Sequence, residues 1–538
     1  MRPYGMPEAV DRRQDTLTGM ASLKPDKPAV IDDRPGQPAR SMTYREFNRY
    51  VNRLANGLLA QNVGPGEKIM WLGQNSIEVA AFSHAARKVG ATSVPLNYRL
   101  TDEESVYVID NSDSALLFAD VAHAEMLERV RPRIESVRDV VIFTGEGPTG
   151  IAPTESVGRS IGPGQLSEAD ILGSSDEPPP APTAGKVMIY TSGTTGHPMG
   201  AVRVAERGRD QVAGLVQILG YQPDDVYVTC GPLYHSGPGA FANLGFLLGH
   251  TVVVQHKFDP EDWLRLVDTY RCSSSFSAPT PIRMIVNLPF DVKERYDTSS
   301  MRVMVANAAP WPFALKEAYV RDFPPESLWE VYGSTELGVN TVLAPEDQLR
   351  KPGSCGKPAP LVDIALFDDD RNRITESRVP GELFIRASSV FETYHKAHDQ
   401  YEADELDDGW HTVGDVAYRD EEGFYYICDR KKDMIISGGM NVYPAEVEAA
   451  LEHHPLVYEA AVIGIPSDDW GESVMAVIVA NTSDSSTPLS AADVEHHARR
   501  HLAGFKVPRR IEFVDEIPKT GSNKILKRAL RERFVAPE

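Results

Sequence analysis

A run of mostly apolar residues at Lys68–Leu72, a helical stretch over Ile77–Lys88 and a second short run at Thr92–Pro95 follow one another with little chain between them. Such a succession reads as a βαβ unit, whose two strands run parallel, so a parallel sheet is expected. Upstream, Thr43 and Glu46 form a TxxE capping box, and Phe47, Val51, Leu54 and Leu58 recur at helical spacing until Gly64-Pro65-Gly66 ends the run. Downstream, strand-like runs at 251–255, 303–306, 364–367 and 382–385 alternate with helical stretches such as 261–269, the pattern of a layered α/β fold. The 538 residues exceed what one ordinary core takes, which predicts two domains, the larger built from several sheets.

Between 145 and 186 lie Pro178-Pro179-Pro180-Ala181-Pro182 and many Gly and Ser residues, so this stretch is expected to be an irregular surface connection leading into a strand at 187–191. Near the end, 442–466 and 472–480 read as a helix between strands, 491–502 as another helix and 510–513 as a strand. The expected division is a large N-terminal α/β domain over 1–431 and a small α+β domain over 432–538.

Charge narrows the function classes. Lys+Arg number 55 and Asp+Glu 77, giving a formal charge of −22, which disfavours non-specific binding to nucleic acid or anionic lipid. An anionic ligand would need a local cationic site. The segment 506–533 is rich in Lys and Arg and is either such a site or a solvated helix face. The four cysteines, Cys230, Cys272, Cys355 and Cys428, are scattered without metal-ligand spacing, which points to neither a disulfide framework nor structural zinc. No apolar leader or membrane-length apolar stretch occurs, and a cytoplasmic location is expected.

The string Tyr190-Thr191-Ser192-Gly193-Thr194-Thr195-Gly196-His197-Pro198-Met199-Gly200 directly follows a predicted strand. Its glycines free the backbone to present N–H groups and its hydroxyls add donors, as a polyphosphate requires. On composition alone a flexible Gly/Thr linker is an equal reading. It is not the GxxxxGK[ST] loop, and no GxGxxG follows a strand elsewhere.

The string resembles the signature loop of the adenylate-forming (AMP-binding) superfamily, and the chain is most like its fatty-acid and carboxylic-acid CoA ligases. Four further segments match in the family's order: 331–336 (VYGSTE), 409–415 (GWHTVGD), 429–433 (DRKKD) and 518–524 (PKTGSNK). The resemblance covers nearly the whole chain and implies ATP and Mg²⁺, coenzyme A as cosubstrate, a carboxylic acid as the other substrate, and a small C-terminal domain that is mobile. It implies that Thr191, Ser192, Gly193, Thr194, Thr195 and Gly196 cradle phosphates. Tyr332 would lie against adenine, Thr335 would contact the α-phosphate, and Glu336 would hold Mg²⁺. Asp415 would accept the ribose hydroxyls and Arg430 would add a ribose or phosphate contact.

Asn307, Ala308 and Ala309 resemble the small-residue segment bordering adenine and acyl pocket, and His235 matches a position near the substrate carboxylate. Lys524 falls at the family's catalytic lysine, Lys432 at its hinge, and Gly438 and Gly439 on the thiol's path. Met alone, Asn307-Ala308-Ala309 would be read as a strand end and turn, His235 as structuring a turn, Lys524 as one exposed lysine among several, and Gly438-Gly439 as a turn between strands. Apolar and small residues over 237–246 suit an aliphatic, alicyclic or aromatic acyl group, or equally a core helix.

Two positions depart from the family. Met199 stands where a lysine is usual and Asn523 where glycine is, so weakened adenylation is expected. Three functions are therefore carried forward: an acyl-CoA synthetase first, then an adenylating enzyme with a carrier protein or other acceptor, then a nucleotide-binding homologue that no longer catalyses. A homodimer is the base-rate expectation for its assembly.

Overall fold

The computed structural model describes residues 15–144, 165–173, 175–180, 185–191, 198–204, 207–309, 311–467, 469–481, 489–519 and 525–535. The βαβ expectation holds. Lys68–Leu72 pairs in parallel with Thr92–Pro95 on one side and with Leu116–Asp120 on the other. These strands belong to an eight-stranded sheet that continues through Asp139–Phe143 to Gln165–Ser167 at one edge. At the other edge it continues through Lys186–Thr191 and the antiparallel Met199–Val204 to Thr393–His395. The connection over 145–186 is not wholly irregular, because Gln165–Ser167 adds a parallel edge strand and Ser167 caps a helical turn over Glu168–Ile171 with a capping box.

A nine-stranded sheet lies beside the first. Its parallel centre runs from Leu328–Ser334 through Val303–Ala306, Ser274–Ser277, Val226–Thr229 and Thr251–Val254 to Pro28–Asp32. Thr251–Val254 and Val303–Ala306 are largely apolar and buried throughout, as strands covered on both faces are, while Ser274–Ser277 is buried with three serines. The Tyr44–Ala60 helix starts at Thr43 with both halves of the capping box formed, and Phe47, Val51, Leu54 and Leu58 are buried. They pack in one core with Phe82, Phe118 and Phe246, so this helix and the Ile77–Lys88 and Ser236–Leu248 helices fill the space between sheets. A seven-stranded sheet around Asp363–Phe367 and Gly381–Arg386 completes the large domain.

The smaller C-terminal domain has a five-stranded sheet dominated by the hairpin of Val457–Ser467 and Gly471–Ala480, with Arg510–Phe513 added in parallel. Helices Pro444–Glu452 and Ala491–His501 cover it, and its core of Val447, Leu451, Val462, Val474 and Ile478 is separate from those of the large domain. Among the described residues no helix is long and apolar enough to cross a membrane.

Candidate active site

Thr191, His235, Asn307, Ala308, Ala309, Thr335 and Glu336 gather at or just beyond the C-terminal ends of the central strands. Leu328–Ser334 and Gly338–Leu343 form a hairpin with a bulge between Tyr332 and Gly333, and Thr335 and Glu336 sit at its turn. The turn is tight. A Cβ on Gly333 would lie 2.0 Å from the Gly338 carbonyl oxygen, so only glycine allows the two strands to approach this closely.

Glu336 is buried, with 8% of its surface exposed, and its Oε1 accepts hydrogen bonds from Thr191 Oγ1 at 3.0 Å and the Tyr394 hydroxyl at 3.2 Å. Thr335 Oγ1 donates to Ser236 Oγ at 2.8 Å, tying the hairpin to the first turn of the Ser236–Leu248 helix. From beneath, Arg203 Nη1 donates to the Thr335 carbonyl at 2.5 Å and Nη2 to the Ser389 carbonyl at 2.6 Å. Arg203, Tyr394 and Ser236 have no place in the sequence reading, yet they set the position of Thr335 and Glu336.

Tyr332 donates its hydroxyl hydrogen to Asp415, and Arg430 Nε lies 3.4 Å from the other oxygen of the same carboxylate. Burial first, then the Asp415 charge, pushes the Tyr332 phenol far above its ordinary range, so it remains a donor at any physiological pH. The Arg430 guanidinium loses hydration by burial, but Asp415, Glu336 and Tyr332 more than compensate and hold its pKa above the usual arginine value. The turn before Asp415 is closed by Gly414 N donating to Thr412 Oγ1 at 2.9 Å, with Gly414 at φ 76°.

Asn307 donates its side-chain amide to the Val331 carbonyl, and Ala308 adopts φ 71°, left-handed backbone that is uncommon for a residue with a Cβ. His235 is the N-cap of the Ser236–Leu248 helix, with its ring 4.3 Å from that of Tyr234. Asn75 braces the loop before it, accepting from Leu233 N at 2.8 Å and donating to the Gly231 carbonyl at 3.0 Å. The stretch 237–246 is helical, as the core-helix reading has it, and Gly237, Ala240 and Phe241 line the cavity.

One cleft joins Thr191, His235, Asn307, Ala308, Ala309, Thr335, Glu336, Arg430 and Lys432, and its opposite wall comes from the small domain. That wall carries Lys519, Lys527 and Arg531, so part of the basic end segment lines the cleft, while Arg509, Arg510 and Arg533 are exposed outside it. Each cation is balanced: Lys519 by Glu459 at 2.9 Å, Lys527 by Glu448 at 3.0 Å, Arg531 by Asp433 at 2.8 Å. Lys432 is exposed on the segment joining the Tyr425–Arg430 and Ile435–Ser437 strands, where lost hydration and then the Arg430 charge lower its pKa. Gly438 and Gly439 do not join the cleft walls; they turn the Ile435–Ser437 and Met440–Val442 hairpin at φ 59° and 79°, and a Cβ on Gly438 would meet the Trp470 ring at 2.6 Å. Ser192, Gly193, Thr194, Thr195, Gly196, Asn523 and Lys524 lie outside the described residues.

The donor set can hold a hard cation. Among the described residues both hydrogen bonds to Glu336 reach Oε1, leaving Oε2 as an acceptor, and no group of three or more His, Cys, Asp or Glu side chains could enclose a metal. A single carboxylate suits Mg²⁺ that takes its remaining ligands from water and phosphate oxygens.

The family model of AMP-binding enzymes matches residues 19–395, and that of the AMP-binding enzyme C-terminal domain matches residues 446–524. The chain belongs to the AMP-binding enzyme family. A feruloyl-CoA synthase from Amycolatopsis sp is 33% identical to this AMP-binding enzyme over 502 residues, covering 92% of the chain and 94% of the relative. A fatty acid–[acyl-carrier-protein] ligase from Streptomyces coeruleorubidus is 31% identical over 535 residues, covering 96% of each. The solved o-succinylbenzoate CoA synthetase from Bacillus subtilis, in complex with its acyl-adenylate intermediate, superposes with a TM-score of 0.79 at 26% identity, covering 96% of this chain and 97% of that one. In this AMP-binding enzyme the C-terminal family match ends at Lys524.

Proposed function

We propose that this enzyme activates a carboxylic acid with MgATP as its acyl-adenylate, releasing pyrophosphate, and then transfers the acyl group to coenzyme A with loss of AMP. The observation that carries the reading is the meeting of Thr191, Thr335, Glu336 and Arg430 in one cleft, with Asp415 and Tyr332 joined to Arg430 behind it, in a chain of the AMP-binding enzyme family. A free carboxylate is a poor electrophile, and joining it to AMP replaces an anionic oxygen by a good leaving group.

In this reading the acid enters beside His235 and the apolar Ser236–Leu248 helix, and one of its oxygens attacks the α-phosphorus. Thr335 donates to the α-phosphate, and Asp415 with Arg430 orients the ribose. Mg²⁺, when bound at Glu336, neutralises phosphate charge during nucleotidyl transfer. Lys524 supplies the ammonium that offsets the charge developing on the attacked phosphate. The division at Lys432 acts as the hinge on which residues 432–538 turn to exchange Lys524 for the face bearing Gly438 and Gly439, opening the thiol's path.

A second reading, transfer to a carrier protein, is favoured by the likeness to the fatty acid–[acyl-carrier-protein] ligase. Incubating the enzyme with MgATP, CoA and a panel of fatty, alicyclic and aromatic acids, with mass spectrometry of the products, separates the two. An acyl-CoA that disappears in Lys524→Ala is the expected result. Acyl-AMP without thioester moves the assignment to another acceptor, and neither product with any acid overturns it.

A further inference from the structure

The small domain is held against the large one by a contact far along the chain from the crossing at Lys432. Arg283 belongs to the large-domain helix Pro279–Val286, which also lines the cleft. Its Nη1 donates to the Tyr458 carbonyl at 2.8 Å, its guanidinium lies 5.3 Å from the centre of the Tyr458 ring, and Nη2 is 4.0 Å from Glu452 Oε2. Glu452 ends the Pro444–Glu452 helix and Tyr458 lies at the start of the Val457–Ser467 strand, so one cation grips the corner where two small-domain elements meet. The next residue, Glu459, pairs with Lys519 at 2.9 Å, and Lys519 is bridged to Ile525 in the cleft wall.

We propose that Arg283 is a positioning residue for acyl-adenylate formation, seating the small domain over the cleft by holding Tyr458 and Glu452. This rests on the two-step reading above and assigns Arg283 to its first step. Asp429 also touches the small domain, accepting from Ala445 N at 2.9 Å and lying 3.7 Å from Lys527 Nζ, but it stands three residues before Lys432. A contact beside a pivot resists rotation weakly; Arg283, on a separate helix, opposes it.

The charges around the contact make its Glu452 half depend on pH. Glu452 is flanked by Glu448 on its own helix and Glu459 on the adjoining strand; Glu448 is held by Lys527 and Glu459 by Lys519. Burial first, then these neighbouring carboxylates, raise Glu452 to about 7 against the pull of Arg283. Above that pH Glu452 is anionic and attracts Arg283. Below it the attraction fades, while the Tyr458 hydrogen bond and ring contact persist. Without Arg283 the anionic corner would face a cleft that must also take a polyphosphate.

The test compares the full-length wild type with Arg283→Ala and Arg283→Lys in separate half-reactions: pyrophosphate release from acid and MgATP, and thioester formation from synthetic acyl-adenylate and CoA. The expected result is a roughly tenfold loss of kcat for adenylation in Arg283→Ala with the KM for ATP little changed, partial recovery in Arg283→Lys, and an unimpaired thioester step. Equal losses in both steps, or no loss in either, overturn the proposal. A readout independent of chemistry accompanies it, namely electron–electron distance measurement between spin labels at the exposed Phe290 and Arg500. Arg283→Ala should lose the distance peak corresponding to the seated domain, and an unchanged distribution overturns the proposal. Should the wild type adenylate no acid, the two-step reading fails while the distance measurement still decides whether Arg283 seats the domain.

Discussion

Single side chains at this site are set by burial and by close backbone approach. Gly333 is fixed by the Gly338 carbonyl at 2.0 Å from its would-be Cβ, so Gly333→Ala must open the hairpin carrying Thr335 and Glu336. The expected outcome is a loss of roughly 2 kcal/mol or more in urea unfolding, together with weakened ATP binding. Glu168 offers a pH test remote from the cleft. Burial is the main cause raising its carboxyl from 4.5 to about 7, while the Tyr50 hydroxyl donates to it. Between those values the folded chain keeps a proton that the unfolded chain has released, so stability falls as pH rises from about 4.5 to 7. Glu168→Gln removes that dependence, and the variant should melt higher than wild type at pH 8 but not at pH 4.5, as read by calorimetry. Residues such as Thr335 and Glu336 are legible in the sequence because their segment resembles a family's. Arg203 and Tyr394 carry no local signal, since an arginine in a strand and a tyrosine after a loop gain meaning only when the chain brings them under the hairpin.

Elements read well where their signals are local. The Tyr44–Ala60 helix shows its capping box and apolar stripe in the sequence, and both are realised. Thr43→Ala removes the side chain that accepts from Glu46 N and should cost about 0.5–2 kcal/mol in denaturant unfolding without changing substrate affinity, because this end of the helix is distant in function from the cleft. The edge strand Gln165–Ser167 escaped the reading for the opposite reason. Three residues have no periodicity to display, and only the exposed edge of Asp139–Phe143 makes them a strand. Likewise the Ser236–Leu248 helix shows its apolar composition early, but the direction its glycine-rich face points is decided by packing against the central strands.

At the scale of the whole molecule, the two domains meet across a cleft whose chemistry depends on both. Met199 begins a strand paired to Thr191 and packs against the apolar cluster containing Leu337 and Tyr394, where, on the proposed reading, a lysine would supply a cation for bound phosphate. Met199→Lys is therefore expected to raise the rate of pyrophosphate release or lower the KM for ATP, measured with the acid identified by mass spectrometry. Chelation of divalent cations should abolish acyl-AMP formation, with recovery on adding Mg²⁺, because Glu336 alone cannot balance the charge of a triphosphate. The sequence by itself determined the α/β class, the parallel strands, the principal helices and, through ordered motifs, the segments that meet at the site. These follow from local periodicity and from short strings whose chemistry survives being read in one dimension. Only the tertiary structure decided which ordinary residues support those strings, which face of the small domain looks into the cleft, and that Arg283 holds it there. Those contacts join residues from 58 to 186 positions apart, and no spacing in the chain encodes a distance that folding alone creates.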